Sequence, residues 1–261
     1  MLAFARQIQH LVWRGGLLLA LAVAAGPLAG CSDDEGDDSA DGSSDGSDDG
    51  SSDGSDDGSG EEDSLSFFVT SSTQDGNLGG LAGADEICQS LAADVGAGDR
   101  TWRAYLSADN DGSPIHARDR IGTGPWWNAL DVMLAADLDE LHELIGDADL
   151  FVTETGEKVN GQWNGSNGQD GAPSNEHDIL TGSDSAGQLI ASDEATTCDD
   201  WTSNTLTPGP QVGHTDGMGP MMDTSEERYT SWNGGHATRG CSAADLSMTG
   251  STGRIYCFAA D

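Results

Sequence analysis

Lysine is nearly absent. The chain carries one, Lys158, and ten basic residues in all against 46 acidic ones, a net charge of −36 over 261 residues. A surface so short of cations repels phosphate backbones and anionic bilayers, which excludes nucleic acid as a partner and leaves no electrostatic route onto a membrane. No C-x-x-C pair occurs, which argues against a structural zinc knuckle, and no H-E-x-x-H occurs, which removes the zincin arrangement. The one long apolar run, residues 17–25, falls short of the roughly 20 residues that a helix needs to cross a bilayer.

That run has another use. Arg6 and Arg14 supply a positive front, the apolar core follows, and small residues lead into "PLAGC". Residues 1–30 therefore read as a signal peptide. The "LAGC" ending resembles the bacterial lipobox, in which the cysteine, here Cys31, is acylated and becomes the mature N-terminus. Such a cysteine typically carries three acyl chains, and more than one chain is what a durable anchor requires. The residue after it is Ser32 and not Asp, which points to sorting to the outer membrane, with membrane contact through the lipid alone. Residues 31–63 then hold the lipidated cysteine and a near-repeat of Asp, Ser and Gly, as in "DGSSDGSDDG". Charge of one sign with no residue able to build a core predicts a disordered tether, averaging roughly 30 Å end to end before self-repulsion extends it. "GSSDG" matches a nucleophile-elbow pattern and "DGSDDG" brushes an EF-hand loop, but neither has the flanking strand or helices that those sites need.

Residues 64–261 have the length of one domain with a real core. Fifteen of the acids lie in the tether and eight of the bases lie in the domain, which leaves 31 acids against eight bases there, a net −23. Beyond Cys31 four cysteines remain, Cys88, Cys198, Cys241 and Cys257. An even number in an exported chain predicts two disulfides, with three pairings open. "LSFFVTSS", "TWRAYLSA" and "GRIYCFAA" read as strands, "LAGADEICQSLAADVG" as a helix, "WNALDVMLAADLDELHELIG" as a second helix, and "LFVTETGEKVNG" as a hairpin around Thr155-Gly156. From Gly161 to Gly240 the chain is mostly Gly, Asn, Ser, Asp and Thr with isolated tryptophans, and reads as one long loop region. The fold class is α+β, with the terminal strands near each other.

The motifs "GADEIC", "RAYLS", "RDR", "GEKVNG", "LTGSDSAGQL", "CDDW" and "IYCFA" occur in an order that resembles the endostatin domain of collagens, and more closely bacterial endostatin-like, lectin-like surface lipoproteins. The resemblance runs from about Phe67 to Asp261. It implies the C-type-lectin-like fold: two helices, twisted antiparallel strands and long disulfide-tied loops. It also implies nested pairing, Cys88 with Cys257 and Cys198 with Cys241. Endostatin's heparin-binding face is arginine-rich, whereas this domain has seven Arg against 31 acids, and endostatin's N-terminal zinc ligands fall where this chain has its tether. Sugar-binding C-type lectins use Trp-Asn-Asp with a calcium-binding Glu-Pro-Asn or Gln-Pro-Asp. Here "SWNGG" has Gly234 in place of the Asp, and neither triplet exists.

The candidate ligand-binding residues lie in the long loop region: Trp163, His177, Asp178, His214, Asp216, Trp232, Asn233 and His236. Trp163 and Trp232, both in "WNG", are candidates for aromatic platforms that stack on sugars, although a buried position is the stronger expectation for each. Trp201, three residues after Cys198, is expected to pack inside. His214 and His236 stand 22 residues apart across loops, a spacing read as that of separate hydrogen-bonded histidines, so neither metal nor cofactor is expected. No catalytic constellation stands out. The expected function is that of a lipid-anchored, surface-displayed, lectin-like binding module without enzymatic activity, recognising an extracellular glycan or protein; bacterial proteins that it resembles include adhesins for host matrix proteins. Two alternatives are a metal-dependent hydrolase using His214, Asp216 and His236, and a structural envelope lipoprotein without a ligand.

Overall fold

One strand organises the molecule. In the computed structural model, which describes residues 65–261 apart from 170 and 191–193, β8 (Ser251–Ala259) is flanked on both sides. Cys257 pairs with Phe68 of β1 (Phe67–Val69) on one flank and with Ala104 of β2 (Trp102–Ala104) on the other, both antiparallel. The run "IYCFA" is wholly apolar because residues 255–259 are buried on both faces of the strand. The N-terminal part of β8 pairs in parallel with β5 (Asp178–Leu180), and β6 (Gln211–His214) and β7 (His236–Ala237) continue the sheet antiparallel, in the order β1-β8-β5-β6-β7. The sheet is thus mixed, where antiparallel strands alone were expected. The terminal strands do lie side by side. The signal peptide, Cys31 and the acidic tether fall outside the described residues. Among those described, no helix is long and apolar enough to cross a membrane.

The two faces of β8 divide the core. Ile255, Cys257 and Ala259 point to one cluster with Phe68, Trp102, Leu180, Trp201 and α1 (Gly80–Asp94). The helix presents Ala84, Cys88 and Ala92 four residues apart, a stripe of small side chains that lets it lie close on the sheet. The Cys88–Cys257 disulfide fastens it there, with Cα atoms 5.5 Å apart. Tyr256 and Phe258 point to the other cluster, an aromatic one with Phe67, Tyr105, Trp126, Phe151 and Trp232. Its ring centroids lie 4.8 Å apart for Phe67–Phe258 and for Tyr105–Trp232, in tilted contacts worth about 0.5–1.5 kcal/mol each beyond area burial.

The expected second helix is only partly one. Its first half forms a hairpin, β3 (Trp126–Trp127) with β4 (Met133–Ala135), and α2 covers just Leu138–Glu143. The side chain of Asn128 explains the difference. Its Oδ1 accepts from the backbone N–H groups of Leu130 (2.9 Å) and Val132 (3.1 Å), and Asp131 between them takes a φ of 56°. These local bonds compete with helix formation, and Asp137 starts the helix late by accepting from Asp139 and Glu140. The turn at Thr155-Gly156 is as expected, with the Thr153 N–H donating to the Glu157 carbonyl at 2.9 Å.

The stretch from Gly161 to Gly240 is not one loop. It contributes β5, β6 and β7, and it contains a single left-handed helical turn, α3 (Cys198–Trp201), whose four φ angles lie between 50° and 67°. That conformation costs roughly 1–2 kcal/mol per non-glycine residue, so its neighbours must hold it. The Cys198–Cys241 disulfide anchors one end, the Asp200 carboxylate accepts from the N–H groups of Asp109 and Asn110 at 2.7 and 2.8 Å, and the buried Trp201 indole donates to the Ser107 carbonyl at 2.9 Å.

Candidate functional site

The register of three neighbouring strands gathers side chains that are far apart in sequence. Asp178 on β5 lies directly opposite His214 on β6. His236 on β7 lies opposite Val212, two residues along β6 from His214, so His214 and His236 are diagonal neighbours on one face. His177 precedes β5 by one residue, and its ring stacks on that of His214 with centroids 4.8 Å apart. The loop histidines of the sequence reading therefore surround one carboxylate, His214 and His236 on strands and His177 just before one. His177 Nε2 stands 3.1 Å from Asp178 Oδ1, His214 Nε2 3.4 Å from the same oxygen, and His236 Nε2 3.5 Å from Oδ2.

Each imidazole is held from behind. His214 Nδ1 donates to the Tyr229 carbonyl at 2.8 Å and His236 Nδ1 to the Ala237 carbonyl at 3.1 Å. A carbonyl can only accept, so both Nδ1 atoms carry hydrogen and the neutral rings present lone pairs at Nε2. His177 Nδ1 lies 2.7 Å from Asp216 Oδ1. Asp216 does not face the centre; it also accepts from the N–H groups of Trp163 and Met218, and so orients His177 from outside. Gly161 permits this closeness, since a Cβ there would sit 2.4 Å from Asp216 Oδ2.

The electrostatics follow from burial and charge. Burial opposes the imidazolium of His177, but the Asp216 hydrogen bond and the charges of Asp178 and Asp216 outweigh it and hold that pKa above the usual histidine value. For His214 burial prevails over the Asp178 charge, and its pKa lies below the usual value. Burial would raise the Asp216 carboxyl, yet the His177 hydrogen bond and charge keep it below the usual carboxylate range. Asp178 itself is 0% exposed, and neither of its oxygens has a hydrogen-bond partner. The centre opens to solvent only at His236, whose side chain is 32% exposed.

The remaining candidates divide. Trp232 is buried in the aromatic cluster, its indole donating to the Leu141 carbonyl at 3.0 Å, and so serves the core and not a surface platform. Asn233 is buried beside it and donates to the Tyr105 hydroxyl (2.9 Å) and the Ser185 carbonyl (3.2 Å). Trp163 is 37% exposed, with its indole N–H on the Val159 carbonyl and the Lys158 ammonium 5.0 Å from the ring centroid. Gly234, where sugar-binding lectins carry Asp, has no room for a side chain: a Cβ there would lie 2.4 Å from the Ser185 backbone nitrogen. Tyr105, not singled out from sequence, joins the two regions by bonding both Asn233 and His142 Nε2. All four residues of the centre were visible as residue types; their convergence had no linear signature, because the orienting partners of His214 and His236 are backbone carbonyls.

No protein-family model matches the chain, and no curated protein matches it.

Proposed function

We propose that the chain is a lipid-anchored, surface-displayed recognition module of the C-type-lectin-like kind, binding an extracellular neutral glycan or a basic protein patch, and not an enzyme. The observation that carries this reading is the pairing of β1 with the C-terminal half of β8. It closes the strand frame on which β5 carries the stretch between 161 and 240, a stretch that Cys198–Cys241 pins further along. Binding residues concentrate on loops held by such a scaffold, and a pinned loop loses less entropy when it binds. The negative field of the domain repels anionic glycans and favours neutral or cationic surfaces. Trp163 is an aromatic left 37% exposed in this stretch and the first residue expected to touch a sugar ring.

The test is to present the full-length protein in detergent micelles to arrays of neutral glycans and of extracellular matrix proteins. Saturable binding that Trp163→Ala weakens supports the reading; silence across both arrays sinks it. The convergence of His177, Asp178 and His214 favours one second reading, a metal-dependent hydrolase. Asp216 would then orient a ligand instead of supplying one. Zinc-dependent turnover of a panel of ester, phosphoester and glycoside substrates, abolished by His214→Gln, would replace the first reading with the second.

A further inference from the structure

We propose that His177, Asp178, His214 and His236 form a binding site for a divalent transition metal of the zinc class. The inference goes beyond the recognition function and stands independently of it. It begins with Asp178, a wholly buried carboxylate neither of whose oxygens is hydrogen-bonded. Burying such a group uncompensated is costly, and buried charges are ordinarily paired or bound to metal. Three imidazole nitrogens stand within 3.5 Å of it, yet none is aligned to donate a hydrogen bond to it. Arg228 is engaged with Glu226 and Arg254 with Glu176, and Arg239, three residues beyond His236, is exposed.

The spacing fits a cation. Zinc holds nitrogen and oxygen ligands at about 2.0–2.2 Å, so the edges of its tetrahedron measure about 3.4 Å. His177 Nε2 and His214 Nε2 stand 3.1 and 3.4 Å from Asp178 Oδ1, and His236 Nε2 stands 3.5 Å from the other oxygen, Oδ2. Suitable donor atoms of His177, Asp178 and His214 all lie within 4.8 Å of one another, and the part-exposed His236 approaches Asp178 Oδ2 from the solvent side. The orienting bonds fit as well: metal-bound histidines usually donate their other ring N–H to a carboxylate or a backbone carbonyl, as these do to Asp216, Tyr229 and Ala237. Three imidazoles with one carboxylate select zinc and its transition-metal neighbours over calcium or magnesium, which require oxygen. The ion would clip β5, β6 and β7 together.

The competing account makes His177 an imidazolium held between Asp178 and Asp216. It explains one of the three contacts and leaves the approach of His214 Nε2 to Asp178 Oδ1 and of His236 Nε2 to Oδ2 without cause. The experiment uses the full-length protein, stripped with EDTA and titrated with zinc chloride by calorimetry. The acidic segment gives a weak, multiple background that no substitution in the domain alters, so the expected signal is one additional tight equivalent. Asp178→Asn and His236→Ala should each weaken that equivalent by at least about 100-fold. His236 is part-exposed, so its replacement keeps the test valid if the Asp178 variant misfolds. Cobalt(II) in the unaltered protein should give the intense visible bands of a tetrahedral nitrogen–oxygen site. Absence of the tight equivalent, or its persistence in both variants, overturns the proposal.

Discussion

The frame around β8 and the stretch from 161 to 240 are built on different principles. The frame buries rings and aliphatic groups: Phe67, Phe68, Trp102, Trp126, Tyr256 and Phe258 are all fully or almost fully enclosed. The other stretch buries polar groups, among them Asp178, Thr181, Ser183, His214, Thr215, Asp216 and Asn233. Apolar burial tolerates small shifts, because it is non-directional and scales with area. A buried polar network does not, since each group left without a partner costs the full desolvation penalty. The first region can therefore be expected to form by collapse, while the second depends on covalent, hydrogen-bonded and ionic fastening applied to the frame.

The strongest way to break that contrast is to cut the two disulfides separately. In the chain-entropy account, Cys88–Cys257, with a sequence separation of 169, is worth about 5 kcal/mol, and Cys198–Cys241, with a separation of 43, about 4 kcal/mol. The expected outcomes differ more in kind than in size. Replacing Cys88 and Cys257 by Ser should lower the cooperative midpoint of the whole domain. Replacing Cys198 and Cys241 should release the left-handed turn, whose positive φ angles then lack their anchor, and hydrogen exchange should rise across 198–241 before the frame melts. Equal protection losses in both variants would mean that the two regions are one cooperative unit.

The two "WNG" tryptophans sharpen the comparison at lower cost. Trp232→Ala empties a site in the aromatic cluster and should destabilise by about 3–5 kcal/mol, whereas Trp163→Ala, half-exposed, should stay within about 1 kcal/mol. Chemical denaturation of the two variants decides it; similar losses would place Trp163 in the core.

The same contrast explains what could be read in advance. "SFFVT", "GADEICQSLAAD" and "IYCFAA" carry the periods of strand and helix because apolar packing imposes them, and these elements stand where the sequence places them. β5, β6 and β7 span two to four residues, carry Gly213 and polar side chains, and leave no such period, so they were read as loop. The hairpin at Trp126–Ala135 was hidden for another reason: the side-chain bonds of Asn128 override an apolar pattern of helical appearance. At the centre every ligating side chain could be named from sequence, but the strand register that joins Asp178 to His214, and places His236 beside them, could not.

A smaller effect comes from Asn233, which ties the polar stretch to the aromatic cluster through the Tyr105 hydroxyl. Asn233→Ala leaves the Ser185 carbonyl and the Ser231 hydroxyl without this partner and should cost about 1–3 kcal/mol. Equilibrium unfolding measures the loss. A neutral result would show that water replaces the amide and that the junction is not a fastening point.

The smallest effect belongs to His142, on the frame side of the same junction. Its Nδ1 donates to the Leu138 carbonyl at 2.7 Å, which leaves Nε2 to accept from the Tyr105 hydroxyl at 2.8 Å. Burial is the largest influence on this ring and, with the Arg118 charge, it outweighs the Leu138 bond and holds the pKa below the ordinary histidine value. The folded protein thus takes up its proton only at a lower pH than the unfolded chain. Stability from this residue is constant well above pH of about 6.5, falls as the pH drops through that value, and levels off below the folded pKa. Protonation also ends the acceptor role of Nε2, so the Tyr105 hydroxyl loses the acceptor for its proton as the ring charges, keeping only the bond from Asn233. Unfolding curves at pH 7.5 and pH 5 should show a larger acid loss in the parent than in His142→Gln, which keeps a polar side chain without the titration. Identical losses would show that the His142 ring contributes nothing to the acid sensitivity.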